Sequence, residues 1–292
     1  MNGIIVIDKP QDFTSFDAVA IMRGCCKTKK VGHSGTLDPM ATGVLPVFIG
    51  TAAKAISLLP DSGKGYRAGF RLGLTSDTLD IWGKLSPETQ VSVGENRLSE
   101  VLEKFHGDIM QVPPMYSALK INGKKLCDLA RQGIEVERKP RPIYISRLEL
   151  IEFDGRNGRI EVECSSGTYI RSLVDDIGRE LGTGAVMTSL VRTKACGFDI
   201  SESVPLTEIK TMTGEQIEAL IKPVDSVFAE YPEIDLDFEQ VRLYKNGVRL
   251  DADRLHSHPE NDRLCRIYDT DSGEFLGLAK MTDSELVSVK RF

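Results

Sequence analysis

A glycine-rich segment, 32–43, carries the aspartate that is best placed to do chemistry. It reads Gly-His-Ser-Gly-Thr-Leu-Asp-Pro-Met-Ala-Thr-Gly. The glycines and the proline exclude a long helix or a central strand, because glycine admits backbone angles that other residues avoid and proline lacks an amide donor. The apolar run 44–49 that follows predicts a core strand. We therefore predict a shaped loop that presents Asp38, although an aspartate before a proline can also simply cap a turn.

Two further side chains could act together with this carboxylate. Tyr66 lies in the segment 64–73, where large and small residues alternate as they do in a strand. Arg171 falls near the start of a helix predicted for 169–181 and lies outside its apolar stripe. Each residue has a structural alternative: Tyr66 as a packed strand aromatic, and Arg171 as the partner of Asp175 in a surface ion pair.

The remaining sequence predicts the elements that must position these residues. Strands are predicted at 3–7, 44–49, 64–73, 143–153, 158–164 and 196–200. Helices are predicted at 16–26, 97–106, 124–132, 169–181 and 214–221, with a further short helical stretch that ends at 190–193. Strands and helices do not alternate regularly, so we predict an α+β fold in which helices flank a mixed, mainly antiparallel central sheet.

The end of the polypeptide has a different character. A linker around Pro232 precedes three short strands, predicted at 263–268, 274–280 and 286–290. This pattern predicts a small all-β unit of about sixty residues. We therefore divide the protein into a larger domain, 1–233, and a small all-β domain, 234–292.

Composition excludes several classes of protein. The 292 residues include no apolar run long enough for a membrane span, and the N-terminus has no basic region typical of a signal peptide. Six scattered cysteines form no CxxC pair, and His256 and His258 lie in a polar loop without further ligands. We expect no metal site and no disulfide framework, and a cytoplasmic location.

The charge is unevenly distributed along the sequence. The net charge is −6, but residues 199–239 hold eleven Asp or Glu against two Lys, a net charge of −9. The segment 120–141 holds seven Lys or Arg against three acidic residues, a net charge of +4. Phosphate contacts depend on local charge, so this basic segment permits an RNA-binding face, although a solvated basic loop would look the same.

Several motifs, taken in order, resemble the TruB-type tRNA pseudouridine-55 synthases over about residues 3–200. The matching blocks are Asp8-Lys9-Pro10 with Thr14-Ser15, then Gly32-His33-Ser34-Gly35-Thr36-Leu37-Asp38-Pro39, Lys64-Gly65-Tyr66, Pro113-Pro114-Met115-Tyr116-Ser117-Ala118-Leu119-Lys120 and Gly167-Thr168-Tyr169-Ile170-Arg171. The C-terminal part resembles the small PUA-like β domain that follows the catalytic domain in this family. Each block alone is unspecific, whereas five blocks in this order are specific to the family.

The resemblance implies the pseudouridine synthase fold and the isomerisation of one uridine, position 55 in the T-loop of tRNA, without a metal or cofactor. It implies that Asp38 is the catalytic nucleophile, that Tyr66 lies against the uracil and that Arg171 pairs with Asp38. Residues at family positions that contact the flipped-out nucleotide or the RNA are His33, Tyr169 and Leu190. We add the two lysines of the matching motifs to the substrate-binding set, namely Lys9 and Lys64. The expected partner is tRNA, through its T-loop and stem, with no membrane contact, and we expect a monomer.

The sequence departs from the family pattern at three positions. Asp12 stands where the family often has Gly, Cys127 replaces a frequent Tyr, and Val191 replaces the first Arg of a common Leu-Arg-Arg. None of the three belongs to the expected catalytic set. The change at Val191 concerns a position where the family is expected to contact the RNA backbone.

Isomerisation agrees with the residue types. The reaction breaks the N1–C1′ bond, joins C5 to C1′ and releases the C5 proton, so it needs no electron carrier and no water. A carboxylate is already ionised near pH 7 and needs no activating base. An unperturbed phenol is a weak base there, so stacking on the uracil is the safer role for Tyr66. Two alternatives stay open: a catalytically silent RNA-binding protein, and a hydrolase that would use Ser34, His33 and Asp38.

Overall fold

Two β-sheets dominate the computed structural model, which describes residues 1–255, 257 and 259–292. The strands of the larger sheet, in sequence order, are β1 (Gly3–Lys9), β2 (Val31–His33), β3 (Thr42–Ile49), β4 (Lys64–Leu72) and β5 (Gly107–Gln111). After the separate hairpin of β6 (Lys120–Ile121) and β7 (Lys124–Lys125), the larger sheet continues with β8 (Arg141–Phe153), β9 (Asn157–Cys164), β10 (Ala185–Ala195), β11 (Phe198–Asp199) and β12 (Val204–Pro205). The smaller sheet contains β13 (Glu233–Leu236), β14 (Leu250–Asp251), β15 (Leu264–Asp269), β16 (Phe275–Met281) and β17 (Glu285–Arg291).

The larger sheet is mixed and mainly antiparallel, as predicted. Its main path runs β12-β1-β3-β10-β4-β9-β8-β5, with β2 paired to β3 and β11 paired to β10. Only the β1–β12 and β3–β10 pairings of this sheet are parallel in the described residues. This order places β3, β10 and β4 side by side, and these strands carry the end of the glycine-rich loop, Leu190 and Tyr66, respectively.

Helices cover the faces of the sheet. They are α1 (Ser15–Cys25), α2 (Glu95–Glu103), α3 (Leu126–Arg131), α4 (Ile170–Glu180), α5 (Leu206–Ile209) and α6 (Gly214–Ala219), whereas α7 (Phe238–Lys245) packs against β13 and β14 of the smaller sheet. Thr14 caps α1 through a capping box with Asp17, as the Thr-Ser pair before this helix predicts. The apolar stripe of α4, including Leu173 and Ile177, is buried against the sheet. None of the described helices is long and apolar enough to cross a membrane.

Two predictions of secondary structure are wrong. Residues 190–193 do not end a helical stretch, because they lie inside β10 and pair with β4. Residues 124–125 belong to the β6–β7 hairpin, so the helix predicted for 124–132 is shorter and covers only α3. In both places a cross-strand partner that is distant in sequence, or a tight hairpin, overrides the local helical pattern.

The smaller sheet has its own core and also packs on the larger unit. Its interior includes Ile234, Tyr244 and Ile267. A separate apolar cluster joins side chains of the last strands and the C-terminus to residues of β1, β3 and the segment 224–228. The ring centroids of Phe228 and Phe292 lie 6.4 Å apart in this cluster. The two units therefore share buried apolar contacts.

Candidate active site

A cavity of about 250 Å³ lies where the glycine-rich loop meets β4, β10 and the start of α4. Its walls come from five separate parts of the sequence. The lining residues are Thr36, Leu37, Asp38, Lys64, Tyr66, Tyr116, Ser117, Ala118, Gly167, Thr168, Tyr169, Ile170, Arg171 and Leu190. Six of the eight predicted site residues line this one cavity: Asp38, Lys64, Tyr66, Tyr169, Arg171 and Leu190.

Asp38 and Arg171 form an ion pair inside this cavity. The Nη2 atom of Arg171 lies 2.9 Å from Oδ2 of Asp38. The Arg171 side chain is only 6% exposed, whereas the Asp38 side chain is 39% exposed. The tight turn at Asp38 is closed by its backbone C=O, which accepts the N–H of Ala41 at 3.0 Å. The carboxylate is thus held by an arginine while it stays open to the cavity, and it does not act as the turn cap.

Arg171 is also held from its other side. Its Nη1 donates to the C=O of Thr78 at 2.9 Å, and its Nη2 donates to the C=O of Tyr116 at 2.8 Å. Nη1 also lies 3.6 Å from Oδ2 of Asp80, a buried carboxylate. Asp175, the surface partner considered from the sequence, instead pairs with Arg179. The guanidinium is therefore fixed between two carboxylates and two carbonyls.

Asp80 is a site residue that the sequence did not reveal. Oδ1 of Asp80 accepts the hydroxyl of Thr78 at 2.8 Å and the backbone N–H of Trp82 at 3.0 Å. These contacts leave its Oδ2 facing Arg171. In the sequence Asp80 is one of several polar residues in a connection, and nothing in the local pattern indicates that it is buried beside an arginine.

The end of β1 and the start of α1 fix the shape of the glycine-rich loop. The Ser15 hydroxyl accepts the N–H of Leu37 at 2.8 Å. The N–H of Asp12 donates to the C=O of Pro39 at 2.9 Å. Asp12 has φ of 68°, a left-handed conformation that glycine adopts most readily, which explains why a glycine suits this position. The motif around residues 8–15 therefore supports the loop that carries Asp38.

Lys9 lies behind the loop and does not line the cavity. Its side chain is fully buried, and Nζ donates to the C=O of Pro10 at 2.8 Å and of Phe13 at 2.6 Å. Burial lowers the pKa of Lys9 to about 8, an effect that the negative charge of Asp38 partly opposes. The structure therefore places this ammonium where it stabilises a turn next to the loop.

His33 lies on β2 beside the loop and is half-buried outside the cavity lining. Burial lowers the pKa of His33, and the positive charge of Arg192 lowers it further. The imidazole is therefore neutral near pH 7. Ser34 does not complete a hydrolytic triad with it, because the Ser34 hydroxyl lies 3.0 Å from the Cys196 thiol and Asp38 is bound to Arg171.

Tyr66 lies in the middle of the sheet, on β4 between β9 and β10. It pairs with Val162 on one side and with Arg192 on the other. Burial raises the pKa of Tyr66, while the nearby positive charge of Arg192 acts in the opposite direction. The phenol is therefore protonated at neutral pH, which makes it a flat, uncharged cavity wall and a poor proton acceptor.

Tyr169 and Leu190 form apolar walls of the cavity. The buried amide of Gln111 holds the Tyr169 backbone: it accepts the N–H at 2.9 Å and donates to the C=O at 3.1 Å. Leu190 faces the cavity from β10. Lys64 adds a cation to the lining, and burial lowers the pKa of its ammonium group.

Three buried side-chain polar atoms in this region have no hydrogen-bond partner among the described residues. They are Nδ1 of His33, Oγ of Ser117 and Nη1 of Arg192. Buried polar atoms are usually hydrogen-bonded, and exceptions are found at binding and catalytic sites. The region around the cavity therefore contains buried polar atoms whose hydrogen bonds are not all satisfied within the part of the protein that the structure describes.

The basic segment predicted from the sequence lies beside the cavity. Lys120, Lys124 and Lys125 are exposed on the β6–β7 hairpin, and within the described part of the protein they form no salt bridge. The N–H of Cys127 donates to the C=O of Ser117, so this hairpin is tied to the cavity wall. These lysines add positive charge next to the cavity.

Within residues 1–255, 257 and 259–292, no group of three or more potential ligands is placed to hold a metal ion. His256 and His258, which we considered in the sequence, lie outside the described residues.

Comparison with known proteins gives matches along nearly the whole sequence. Residues 23–170 match the TruB family pseudouridylate synthase N-terminal domain. Residues 171–229 match the tRNA pseudouridylate synthase B C-terminal domain, and residues 232–292 match the C-terminal domain of pseudouridine synthase II TruB.

Relatives named tRNA pseudouridine synthase B are similar in sequence over most or all of this protein. A tRNA pseudouridine synthase B of Clostridium tetani is 43% identical over 291 residues, which is 99% of each protein. One of Lactobacillus delbrueckii subsp. bulgaricus is 45% identical over 267 residues, covering 87% of this protein and 89% of the relative. One of Stutzerimonas stutzeri is 39% identical and covers all of this protein and 95% of the relative.

Solved structures confirm the predicted fold class. An H/ACA RNP bound to a substrate RNA containing 2′-deoxyuridine includes a polypeptide with a TM-score of 0.75 and 25% identity, covering 99% of this protein and 84% of that polypeptide. A polypeptide of a Cbf5–Nop10–Gar1 complex also gives a TM-score of 0.75, with 26% identity and the same two coverages. The ion-paired aspartate in its cavity, the sheet around it and these full-length matches lead to one conclusion: the protein belongs to the TruB family of pseudouridylate synthases, which are isomerases.

Proposed function

We propose that this enzyme converts the uridine at position 55, in the T-loop of tRNA, to pseudouridine, with Asp38 as the nucleophile. The observation that carries this proposal is the ion pair between Asp38 and the buried Arg171 at the wall of the cavity. The relatives are named tRNA pseudouridine synthase B, which supports tRNA as the substrate.

The target uridine has to leave its stack to reach Asp38. Extrusion of a base costs a few kcal/mol, which contacts in the cavity must offset. Tyr66, Tyr169 and Leu190 supply aromatic and apolar walls against which a uracil can stack. These groups and the Asp38 carboxylate line the same cavity, which supports binding of a flipped nucleotide there.

Asp38 attacks the flipped nucleotide while the N1–C1′ bond breaks. Asp38 holds one fragment covalently while the base turns. If Asp38 is bonded to C1′, that bond breaks as C5 joins C1′; if it is bonded to C6, the bond breaks once C5 has joined C1′. The C5 proton leaves last. Atoms and electrons balance within the nucleotide, because N1 gains a proton and C5 loses one. No residue of this scheme needs a cofactor or a metal ion.

Arg171 orients this nucleophile. A guanidinium that is fixed by two carbonyls presents a rigid donor to the carboxylate, which lysine could not reproduce. Asp80 offsets part of the positive charge of Arg171, so that Asp38 is oriented without being fully neutralised.

We further propose that the T-loop and stem bind along the basic hairpin that contains Lys120, Lys124 and Lys125. We propose that the protein acts as a monomer in the cytoplasm, and that it divides functionally into the catalytic domain 1–233 and the PUA-like domain 234–292. The charge distribution supports RNA binding at the hairpin, because the segment 120–141 is positively charged although the whole sequence has a negative net charge.

The test is tritium release from a tRNA transcript labelled at uridine C5. Wild-type enzyme is compared with Asp38→Asn and with a matched control, Asp77→Asn, whose exposed carboxylate makes no contact with Arg171. A second transcript carries cytidine at position 55. We expect release by wild type and Asp77→Asn from the first transcript only. Tight tRNA binding without any release would instead indicate a silent RNA-binding protein.

A further inference from the structure

Arg192 is the largest side chain in the structure that is fully buried. It lies on β10, directly opposite Tyr66 on β4 and opposite Gly43 in the parallel pairing with β3. It occupies the second Arg position of the Leu-Arg-Arg pattern from which Val191 departs, and the proposed chemistry gives it no role. A guanidinium is always charged near neutral pH and is expensive to bury, so its presence in the centre of the sheet needs an explanation.

The guanidinium of Arg192 joins both ends of the loop that carries Asp38. Its Nη2 donates to the C=O of Gly35 at 3.1 Å, and its Nε donates to the C=O of Val44 at 2.7 Å. Its backbone is equally close to the loop, since a Cβ at Gly43 would lie 2.3 Å from the C=O oxygen of Arg192. One side chain thus bridges the two points where the loop leaves and rejoins the sheet.

No carboxylate neutralises Arg192 among the described residues. Its Nη1 has no hydrogen-bond partner among these residues, and the ammonium of Lys64 lies close by. A Cβ on Gly35 would lie 3.1 Å from Nζ of Lys64 and 3.4 Å from Nη1 of Arg192, so both cations converge on this glycine. Two like charges held close together destabilise a fold, and such an arrangement is retained where it serves a site.

We propose that Arg192 is a positioning residue of the active site, which clamps the Asp38 loop onto the sheet and presents a positive charge to the hydroxyl of Tyr66. This inference rests on the proposed function, because it assigns a role in the same reaction. Arg192 itself does not line the cavity, so it acts through the loop and through Tyr66.

The charges around Tyr66 agree with this role. The groups that act on its phenol are Arg192 from β10, Cys164 from β9 and Asp38 from the loop. Of these, only Arg192 lowers the pKa of Tyr66, whereas burial, Cys164 and Asp38 raise it. Removal of the guanidinium charge should therefore make the phenol still less acidic, while a purely structural role would leave its titration unchanged.

The experiment uses full-length enzyme labelled with 3-fluorotyrosine, whose phenol is more acidic than that of tyrosine and gives a fluorine NMR signal. The Tyr66 resonance is assigned by its loss in Tyr66→Phe. Its titration is followed in wild type, Arg192→Gln, Arg192→Lys and a matched control, Arg67→Gln. Arg67 is the next residue on β4 and is paired with Glu161, so its loss removes the same charge close by in the sequence.

We expect the midpoint of the Tyr66 titration to rise by about one pH unit or more in Arg192→Gln and to stay unchanged in Arg67→Gln. Arg192→Lys keeps the charge but cannot bridge both carbonyls. Its midpoint should stay near that of wild type, while single-turnover isomerisation slows roughly 100-fold and the Kd for tRNA changes by less than about twofold.

A midpoint that does not rise in Arg192→Gln would overturn the inference, and so would wild-type turnover by Arg192→Lys. If Arg192→Gln does not fold, as judged by circular dichroism, Arg192→Lys carries the test through its rate and its Kd. Failure of the proposed function is distinguishable, because wild type would then release no tritium although the fluorine titration could still be measured.

Discussion

Nη2 of Arg171 lies 2.9 Å from Oδ2 of Asp38, and the two residues are far apart in sequence. The exposed side of the carboxylate faces the cavity, and its other side is held by the buried guanidinium. The pair is asymmetric in burial, so Arg171 belongs to the rigid frame while Asp38 is available to a ligand. Substitutions at the carboxylate and in its frame should therefore affect the rate of isomerisation more than the binding of RNA.

Asp38→Asn should abolish turnover while it leaves tRNA binding nearly unchanged. The amide is almost the same size but cannot act as a nucleophile. Tritium release and a filter-binding Kd, measured on the same preparation, check this. Residual release above a few per cent of wild type would contradict a nucleophilic role.

Arg171→Lys should slow single-turnover isomerisation roughly 100-fold, because a single ammonium cannot contact Asp38, Thr78 and Tyr116 at once. The Kd for tRNA should change little, because Arg171 is buried. Arg179→Lys, which alters an exposed arginine on the same helix, is the matched control and should keep the wild-type rate. Equal rates for the two variants would show that isomerisation does not need the simultaneous contacts of the Arg171 guanidinium.

Asp80→Asn should lower the isomerisation rate roughly tenfold or more, because the amide keeps the shape but removes the charge that faces Arg171. Asp77→Asn, an exposed neighbour in the same connection, should be silent. The measurement is the single-turnover rate at saturating enzyme. A reduced rate for Asp77→Asn together with a wild-type rate for Asp80→Asn would contradict the role of Asp80 as the carboxylate that supports Arg171.

Lys9 should make folding stability depend on alkaline pH. Its pKa is about 8 in the folded protein and 10.5 when unperturbed, so the unfolded protein binds more protons between these values. The free energy of unfolding should therefore rise with pH across this window, by up to about 3 kcal/mol. Urea denaturation of wild type and Lys9→Met at several pH values isolates this contribution. If the free energy of unfolding varied with pH in the same way in wild type and Lys9→Met, the pKa of Lys9 would not be lowered in the folded protein.

Neutralising Lys120, Lys124 and Lys125 together should weaken tRNA binding and reduce its salt dependence. Each lost phosphate contact lowers the slope of log Kd against log salt by about 0.7 to 0.9. Lys245→Gln is the control, because Lys245 is already paired with Glu274. An unchanged slope in the triple variant would place the RNA elsewhere.

The local features of this protein follow from its residue types and their spacing. The glycines and the proline of 32–43 require a loop, the alternation in 64–73 requires a strand, and the stripe of α4 requires a buried face. Ordered motifs were enough to identify the family. These properties depend on residue types and on their separation over a few positions, and both can be read from the sequence.

Most of the charge pairs become evident only in the folded protein. The local pattern indicated no partner for Asp80 and offered Asp175 for Arg171, whereas the family resemblance implied the pair with Asp38. The pattern also indicated a helical end at 190–193, where Arg192 in fact lies on a central strand. Lys9, assigned to substrate binding, lies behind the loop. The physical reason is that burial and pairing of charges depend on strand order, and β3, β10 and β4 become neighbours only when the sheet forms.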